Sequence, residues 1–308
     1  MTQNGKVDFA IFSPQAGLSW NALLARAELA EKLGYHSLWL VDHMWSPGTP
    51  DLDHVECLTA MSALAARTQK LRIGTLVICN SYRNPALLAK SLCTIDQVSG
   101  GRLEVGLGAG WMDAEYRAYG YEFPSMAVRL KQLEEGVQIV KAMFENKNAS
   151  FKGMHYTIEE ARNSPQPVQK PHPPITIGGS GEKVMLKLVA KYADRWNCPA
   201  GYRSFEQKLN VLKDHCKAVG RDLISINISE QLLIAIGKTE AEAEQKWKQA
   251  QVLRPFSTTG IHGTPEQLIK ALKDRVKQGI TCFTIFFSDF APPATIDLFA
   301  REVMPAFG

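Results

Sequence analysis

The chain has 308 residues, of which 45% are hydrophobic and 21% charged, an ordinary soluble composition that excludes a disordered chain. A net charge of +4 without any Lys/Arg block excludes a nucleic-acid-binding surface of the usual kind, and no run approaches the roughly 18 apolar residues of a membrane span. The opening MTQNGKVDF has no apolar signal core, so a cytoplasmic protein is expected, with neither nucleic acid nor membrane among its partners.

Strand-like and helical runs alternate from end to end. Val7 to Phe12 reads as a strand, and Trp20 to Leu33 as a helix with Leu23, Leu24, Ala27 and Ala30 at helical spacing, closed by Gly34. Ser37 to Val41 is the second strand, Val55 to Arg67 the second helix and Leu71 to Ile78 the third strand. The next helix has Pro85 in its first turn and stops at Gly100 and Gly101. Leu103 to Leu107 is the fourth strand and Met126 to Phe144 a long helix. A polar, proline-rich insertion follows from Asn146 to Pro174. The alternation resumes with strand Ile175 to Ile177, helix Glu182 to Tyr192, strand Arg195 to Cys198, helix Phe205 to Val219 and strand Ile224 to Ile236. Helices Ala241 to Leu253 and Pro265 to Gln278, strand Cys282 to Phe287 and helix Thr295 to Val303 complete it. Eight strands alternating with helices is the count of an α/β protein of the (β/α)8 TIM-barrel class, here as a single domain over residues 1–308. Continuous apolar runs such as FAIF, LWLV and CFTIFF suit strands covered on both faces; the competing fold is an open doubly wound sheet.

The stretch GGRLEVGLGAGWMDAEYRAYGYEF, from Gly100 to Phe123, spaces Gly106, Gly108 and Gly110 by two. Glycines at that period are not expected to build a stable strand interior, so Gly108 to Gly110 is read as backbone open to a phosphate or ring; a plain βα turn is the other reading. Trp111 occupies the place of the third glycine in a dinucleotide fingerprint, which excludes that motif. In a barrel, chemistry sits at the carboxyl ends of strands. The second strand ends in Asp42 and His43, an imidazole able to relay a proton and a carboxylate able to fix its tautomer, although Asp42 is equally suited to capping a loop. Asn80, past the third strand, can meet a heterocycle edge or form an Asx turn. Gly178, Gly179, Ser180 and Gly181 run directly into a helix N-terminus, either as a phosphate site or with Ser180 as its cap. The seven histidines show no metal spacing and the six cysteines no CxxC pair, so no metal is expected and the cysteines read as small core residues.

DHMW after the second strand, GRLEVGLGAGW with its EY and AYG after the fourth, IGGSGEK around the fifth and GTPEQL at Gly263 to Leu268 together resemble the bacterial luciferase-like superfamily, closest to its coenzyme F-420-dependent oxidoreductase branch. The resemblance implies a luciferase-like (β/α)8 barrel with insertion segments over its C-terminal face, and a homodimer. It implies His43 beside a cofactor ring, a non-proline cis peptide between Leu76 and Val77 forming a bulge behind that ring, and Ala109, Gly110 and the turn Gly178 to Gly181 on the cofactor's phosphate tail. Trp45 and Trp111 are candidates for the substrate pocket, and Glu115 and Tyr116 match the family's EY pair. Arg195 replaces a glycine that the family more often has.

The expected reaction is hydride transfer between the deazaflavin F-420 and a small organic substrate, with the protein supplying orientation and His43 acting as acid–base group or ring partner. The alternatives are an FMN-dependent monooxygenase of the same superfamily, fed by a flavin reductase and using oxygen, and a non-catalytic flavin-binding protein. The loops Ser46 to His54, Asn146 to Pro174 and Leu253 to His262 are expected to shape the pocket.

Overall fold

A computed structural model describes residues 7–198, 205–250, 253 and 260–308. In chain order its elements are β1 (Asp8–Phe12), α1 (Trp20–Lys32), β2 (Ser37–Leu40), α2 (Cys57–Arg67), β3 (Arg72–Thr75), β4 (Ile78–Cys79), α3 (Pro85–Ser99) and β5 (Leu103–Gly108). Then come α4 (Asp113–Ala118), α5 (Met126–Glu145), β6 (Asn148–Lys152), β7 (Thr157–Arg162), β8 (Ile175–Gly178), α6 (Met185–Tyr192), β9 (Arg195–Cys198) and α7 (Phe205–Ala218). The last are β10 (Asn227–Ile236), α8 (Glu240–Gln249), β11 (Ile261–Gly263), α9 (Pro265–Lys277), β12 (Cys282–Phe287) and α10 (Pro293–Glu302).

The main sheet has the order β11-β10-β12-β1-β2-β3-β5-β8-β9, with β4 on β5 and β9 pairing again with β10. The ladder therefore closes on itself, and the fold is a (β/α)8 barrel in which β3 and β4 share one strand position. Its registers are parallel wherever given, for example Ala10 opposite Ser37 and Thr284. By compactness the chain forms two units, one from the described residues of Met1–Ser13, Ala25–Trp39 and Gly179–Gly308, the other from Pro14–Leu24 and Leu40–Gly178.

In the first unit β1 lies between β2 and β12, and β10 lies between β12 and β9. Ile11, Leu38, Leu232, Ile234, Phe283 and Ile285 have no exposed surface. Each such side chain contributes about 1.5–3 kcal/mol on burial, which explains why these strands read as unbroken apolar runs. The departure at Arg195 is accommodated within this unit, where the buried guanidinium stands 5.7 Å from the Trp39 ring.

In the second unit β5 lies between β3 and β8. Helix α3 is set by local chemistry. The Asn84 side chain accepts from the Ala86 and Leu87 amides, Pro85 takes the first position, and Gly100 ends the helix at φ +66°.

The structure corrects several expectations. The third strand is broken into β3 and β4 by a cis Leu76–Val77 peptide, and β5 runs through both Gly106 and Gly108. Those glycines make room for the break: a Cβ on Gly106 would lie 1.9 Å from the Thr75 carbonyl oxygen, and one on Gly108 would lie 2.4 Å from Val77 Cγ2. The bare backbone is covered by the protein's own bulge, not left open for a ligand. Helix α6 starts three residues later than expected, after turn residues 182–184, and Ser180 is not its cap. The proline-rich insertion contains the antiparallel hairpin β6–β7. Its later part is tied to α3 and to the amino ends of β3 and β5, through Asn163 to Cys93 and Gln169 to Asp96, Arg72 and the Leu103 carbonyl. Of the expected pocket loop Leu253 to His262, residues 254–259 lie outside the described residues.

Candidate active site

The carboxyl end of β2 delivers Asp42 and His43, and α4 delivers Glu115. His43 Nδ1 is 2.8 Å from Glu115 Oε2, on a carboxylate whose side chain has no exposed surface. The same oxygen accepts from the Tyr82 hydroxyl at 2.8 Å, and Oε1 accepts the Met44 amide at 2.7 Å. Burial pushes the Glu115 carboxyl up, but the hydrogen bonds from His43, Tyr82 and Met44 outweigh it and hold the group below the usual carboxylate range. The carboxylate is therefore ionised, and neutral His43 carries its proton on Nδ1, leaving a lone pair on Nε2. Burial and then the bond to Glu115 raise the Tyr82 hydroxyl well above its ordinary value, so it stays a donor.

The carboxylate that fixes the imidazole is thus Glu115, not Asp42 as expected. Asp42 takes both guanidinium nitrogens of Arg83, at 2.6 and 2.8 Å, and the Cys79 amide at 2.8 Å. Arg83 also reaches Glu56 at 2.7 Å. Both oxygens of Asp42 are spent on joining the end of β2 to the turn after β4, which leaves it a structural part and not an acid or base.

A pocket of about 130 Å³ adjoins His43, within the second unit, lined by Val41, Asp42, Leu76, Val77, Cys79, Tyr82, Gly110, Trp111 and Met112. His43 Nε2 has no hydrogen-bond partner among the described residues. Burial raises the Cys79 thiol to about 11, so the wall presents a neutral thiol. Trp111 is 56% exposed and meets the His43 ring edge-on at 5.6 Å, while Trp45 stacks on Tyr119 at 6.0 Å, both at the carboxyl ends of the strands.

Other expected site residues make contacts within the protein. Tyr116 is fully buried in a cluster with Tyr82, Cys79 and Phe123, its hydroxyl 3.1 Å from Cys79 Sγ, so it does not line a substrate pocket. Glu115, expected in that pocket, lies behind His43. Gly110, at φ +73°, is required by the protein itself, because a Cβ there would lie 2.0 Å from the Tyr116 hydroxyl. Ala109 is buried beside it. The Asn80 amide donates to the Tyr156 hydroxyl at 3.2 Å, and its carbonyl oxygen lies against Gly136 of α5. Of the corner after β8, the Gly179 amide is taken by the Asn197 carbonyl at 3.2 Å, and the Gly179 carbonyl by the Trp196 indole at 2.7 Å. Sequence reasoning missed Arg83, Tyr82 and Gln15, whose buried side chain donates to the Val41 carbonyl and accepts the Val41 amide, both at 2.9 Å; the one cue to the first two was a cation and an aromatic in the turn directly after a strand.

A family model described as luciferase-like monooxygenase matches residues 7–258. The chain belongs to the luciferase-like monooxygenase family. It is similar to an F420-dependent glucose-6-phosphate dehydrogenase of Amycolatopsis mediterranei, at 33% identity over 181 residues, covering 58% of this chain and 53% of that protein. It is also similar to an FMNH(2)-dependent dimethylsulfone monooxygenase of Pseudomonas putida, at 34% over 154 residues, covering 50% of this chain and 42% of that protein. The matched regions span about half the length of these curated relatives. A solved structure of an F420-dependent secondary alcohol dehydrogenase with an F420-acetone adduct superposes with a TM-score of 0.84 at 23% identity, over 98% of this chain and 99% of that one, and shares its barrel fold.

The residues present fit the reacting edge of a flat redox ring. The apolar Leu76 and Val77 supply one wall and a single imidazole of fixed tautomer another. At about 130 Å³ the pocket is below the roughly 300–1,000 Å³ of a complete small-molecule site, room for such an edge and not for a whole ring system. Among the described residues no group of three His, Cys, Asp or Glu side chains is placed to hold a metal ion, and no helix is long and apolar enough to cross a membrane.

Proposed function

We propose that the chain is an oxidoreductase that transfers a hydride between the deazaflavin coenzyme F-420 and a small organic substrate. The observation behind this reading is His43, its Nδ1 held by a buried, ionised Glu115 and its Nε2 without a hydrogen-bond partner among the described residues. A hydride step at a carbon bearing oxygen needs a proton acceptor at that oxygen, and this imidazole has one nitrogen available for it. When bound, the deazaflavin supplies the hydride acceptor or donor. Leu76, Val77, Gly110 and Met112 would hold the ring edge and exclude water from it, and Trp111 and Trp45 would border the substrate. In the oxidative direction the substrate hydroxyl proton passes to His43 Nε2, and Glu115 stabilises the imidazolium that results. In the reductive direction the imidazolium returns that proton to the carbonyl oxygen. Gly178, Ser180 and Gly181 remain the proposed contacts for the phosphate tail. The chain is proposed to act as one barrel domain and as a homodimer in the cytoplasm.

The Pseudomonas relative favours a second reading, an FMN-dependent monooxygenase supplied by a partner reductase. Titrating the purified apo-protein with each cofactor separates the two: the first reading expects tight F-420 and weak FMN binding, and the reverse result overturns it. Binding of either cofactor without turnover of any alcohol, aldehyde or sulfone would point to a non-catalytic flavin-binding protein.

A further inference from the structure

The two oxygens of the Glu115 carboxylate do different work. Oε1 accepts main-chain amides, Met44 at 2.7 Å and Trp45 at 3.4 Å, which fix where the group sits. Oε2 accepts two side-chain donors, His43 Nδ1 and the Tyr82 hydroxyl, each at 2.8 Å. An imidazole N–H and a phenol O–H therefore share one oxygen, on a side chain with no exposed surface.

The phenol is held in place from several sides. Tyr82 is buried, and its ring packs on Tyr116 at 5.0 Å and on Tyr121 at 5.2 Å. The turn that carries it is tied to the end of β2, because the Cys79 amide and the Arg83 guanidinium both bond Asp42. The same ring forms part of the pocket wall beside His43. Packing alone would be met by a phenyl ring. The hydroxyl, unfavourable to bury, is given to the carboxylate behind the acid–base group.

We infer that Tyr82 is a positioning residue for the proton step: its hydroxyl competes with His43 for Glu115 Oε2 and limits how firmly the carboxylate holds the imidazolium. With the phenol in place, an uncharged donor already engages part of the negative charge. A proton taken up at His43 Nε2 is then stabilised enough to be accepted and loosely enough to be returned. Without the phenol, all of Oε2 turns to His43 Nδ1, that bond tightens, and the imidazolium is harder to discharge. The other titratable groups around His43 are quiet. Asp42, at the end of β2, is neutralised by Arg83; Cys79, on the pocket wall, is a neutral thiol; burial keeps His54, in the loop before α2, neutral.

The inference rests on the reading of His43 as the acid–base group, but its test uses the unliganded protein and so fails separately. Tyr82→Phe keeps the ring and removes the hydroxyl. In protein labelled with 15N-histidine and 13C-glutamate, the His43 Hδ1 resonance should move downfield. The Glu115 carboxyl, having lost a donor, should titrate about one unit higher than in the parent. Tyr116→Phe removes the neighbouring hydroxyl, which lies 3.1 Å from Cys79 Sγ, and should move neither signal. Should Tyr82→Phe not fold, the parent decides alone: two protons on one oxygen should give a nuclear Overhauser cross-peak between His43 Hδ1 and the Tyr82 hydroxyl at low temperature. Absence of that cross-peak, signals unchanged in Tyr82→Phe, or equal changes in Tyr116→Phe would overturn the proposal.

Discussion

Replacing Glu115 by Gln changes little volume and removes one charge, so it isolates what this buried carboxylate does. In the parent it accepts from the His43 ring and the Tyr82 hydroxyl, both at 2.8 Å, and from the Met44 amide at 2.7 Å. The amide keeps an acceptor for Met44 but turns an NH2 group toward His43 Nδ1 and Tyr82. His43 can meet that group only by moving its proton to Nε2, which places a donor where the reaction needs an acceptor. Hydrogen bonds to a charged group contribute about 1.5–3 kcal/mol each, and two of the four are degraded, the Trp45 amide also donating to Oε1 at 3.4 Å, so a stability loss of about 3 kcal/mol is expected. Loss of a correctly protonated base lowers turnover by about 10²–10⁴-fold. Urea unfolding followed by circular dichroism reads the first effect, and 15N NMR of His43 reads the tautomer. The pH dependence has a definite sign. Glu115 titrates below its unfolded value, so its contribution is present above that value and disappears as pH falls through the lower folded one; parent and variant should converge in stability on acidification. A variant within about 0.5 kcal/mol of the parent, with His43 still protonated on Nδ1, would refute the reasoning.

Gly106→Ala places a Cβ 1.9 Å from a backbone oxygen and Gly108→Ala places one 2.4 Å from a side-chain methyl, so the first should exceed the usual overpacking cost of about 1–3 kcal/mol and the second fall within it. Equal, small losses in urea unfolding would contradict the close approach of the bulge. Arg83→Leu leaves Asp42, 3% exposed, without its cation and should cost about 3–5 kcal/mol by the same assay; a loss below about 1 kcal/mol would show that the pair is not holding β2 to the turn. Gln15→Leu leaves the Val41 amide and carbonyl unpaired, at about 1–3 kcal/mol for each group, and should speed hydrogen exchange at Val41; unchanged exchange would show that Gln15 does not hold the end of β2.

The barrel was legible because buried parallel strands must be apolar on both faces, and runs such as CFTIFF carry that requirement in the sequence itself. Pro85, Gly34 and Gly100 marked helix boundaries through fixed backbone preferences. His43 was legible from its place at a strand end. Its partner was not: Glu115 lies 72 residues away, and nothing local to either residue states that they meet. The period-two glycines were noticed but assigned to a ligand, since a sequence cannot distinguish room made for a cofactor from room made for Val77. The break between β3 and β4 is invisible in LRIGTLVI, which reads as one strand; only the family resemblance signalled the Leu76–Val77 cis bond. Asp42 shows the same limit, its role being set by an arginine in a turn that carries no motif.

The most direct test is a crystal structure of the protein with oxidised F-420 bound. The ring should lie with its reacting edge between the Leu76–Val77 bulge and His43 Nε2. A ring seated elsewhere, with His43 still closed off from it, would contradict the assignment of this imidazole to the reaction.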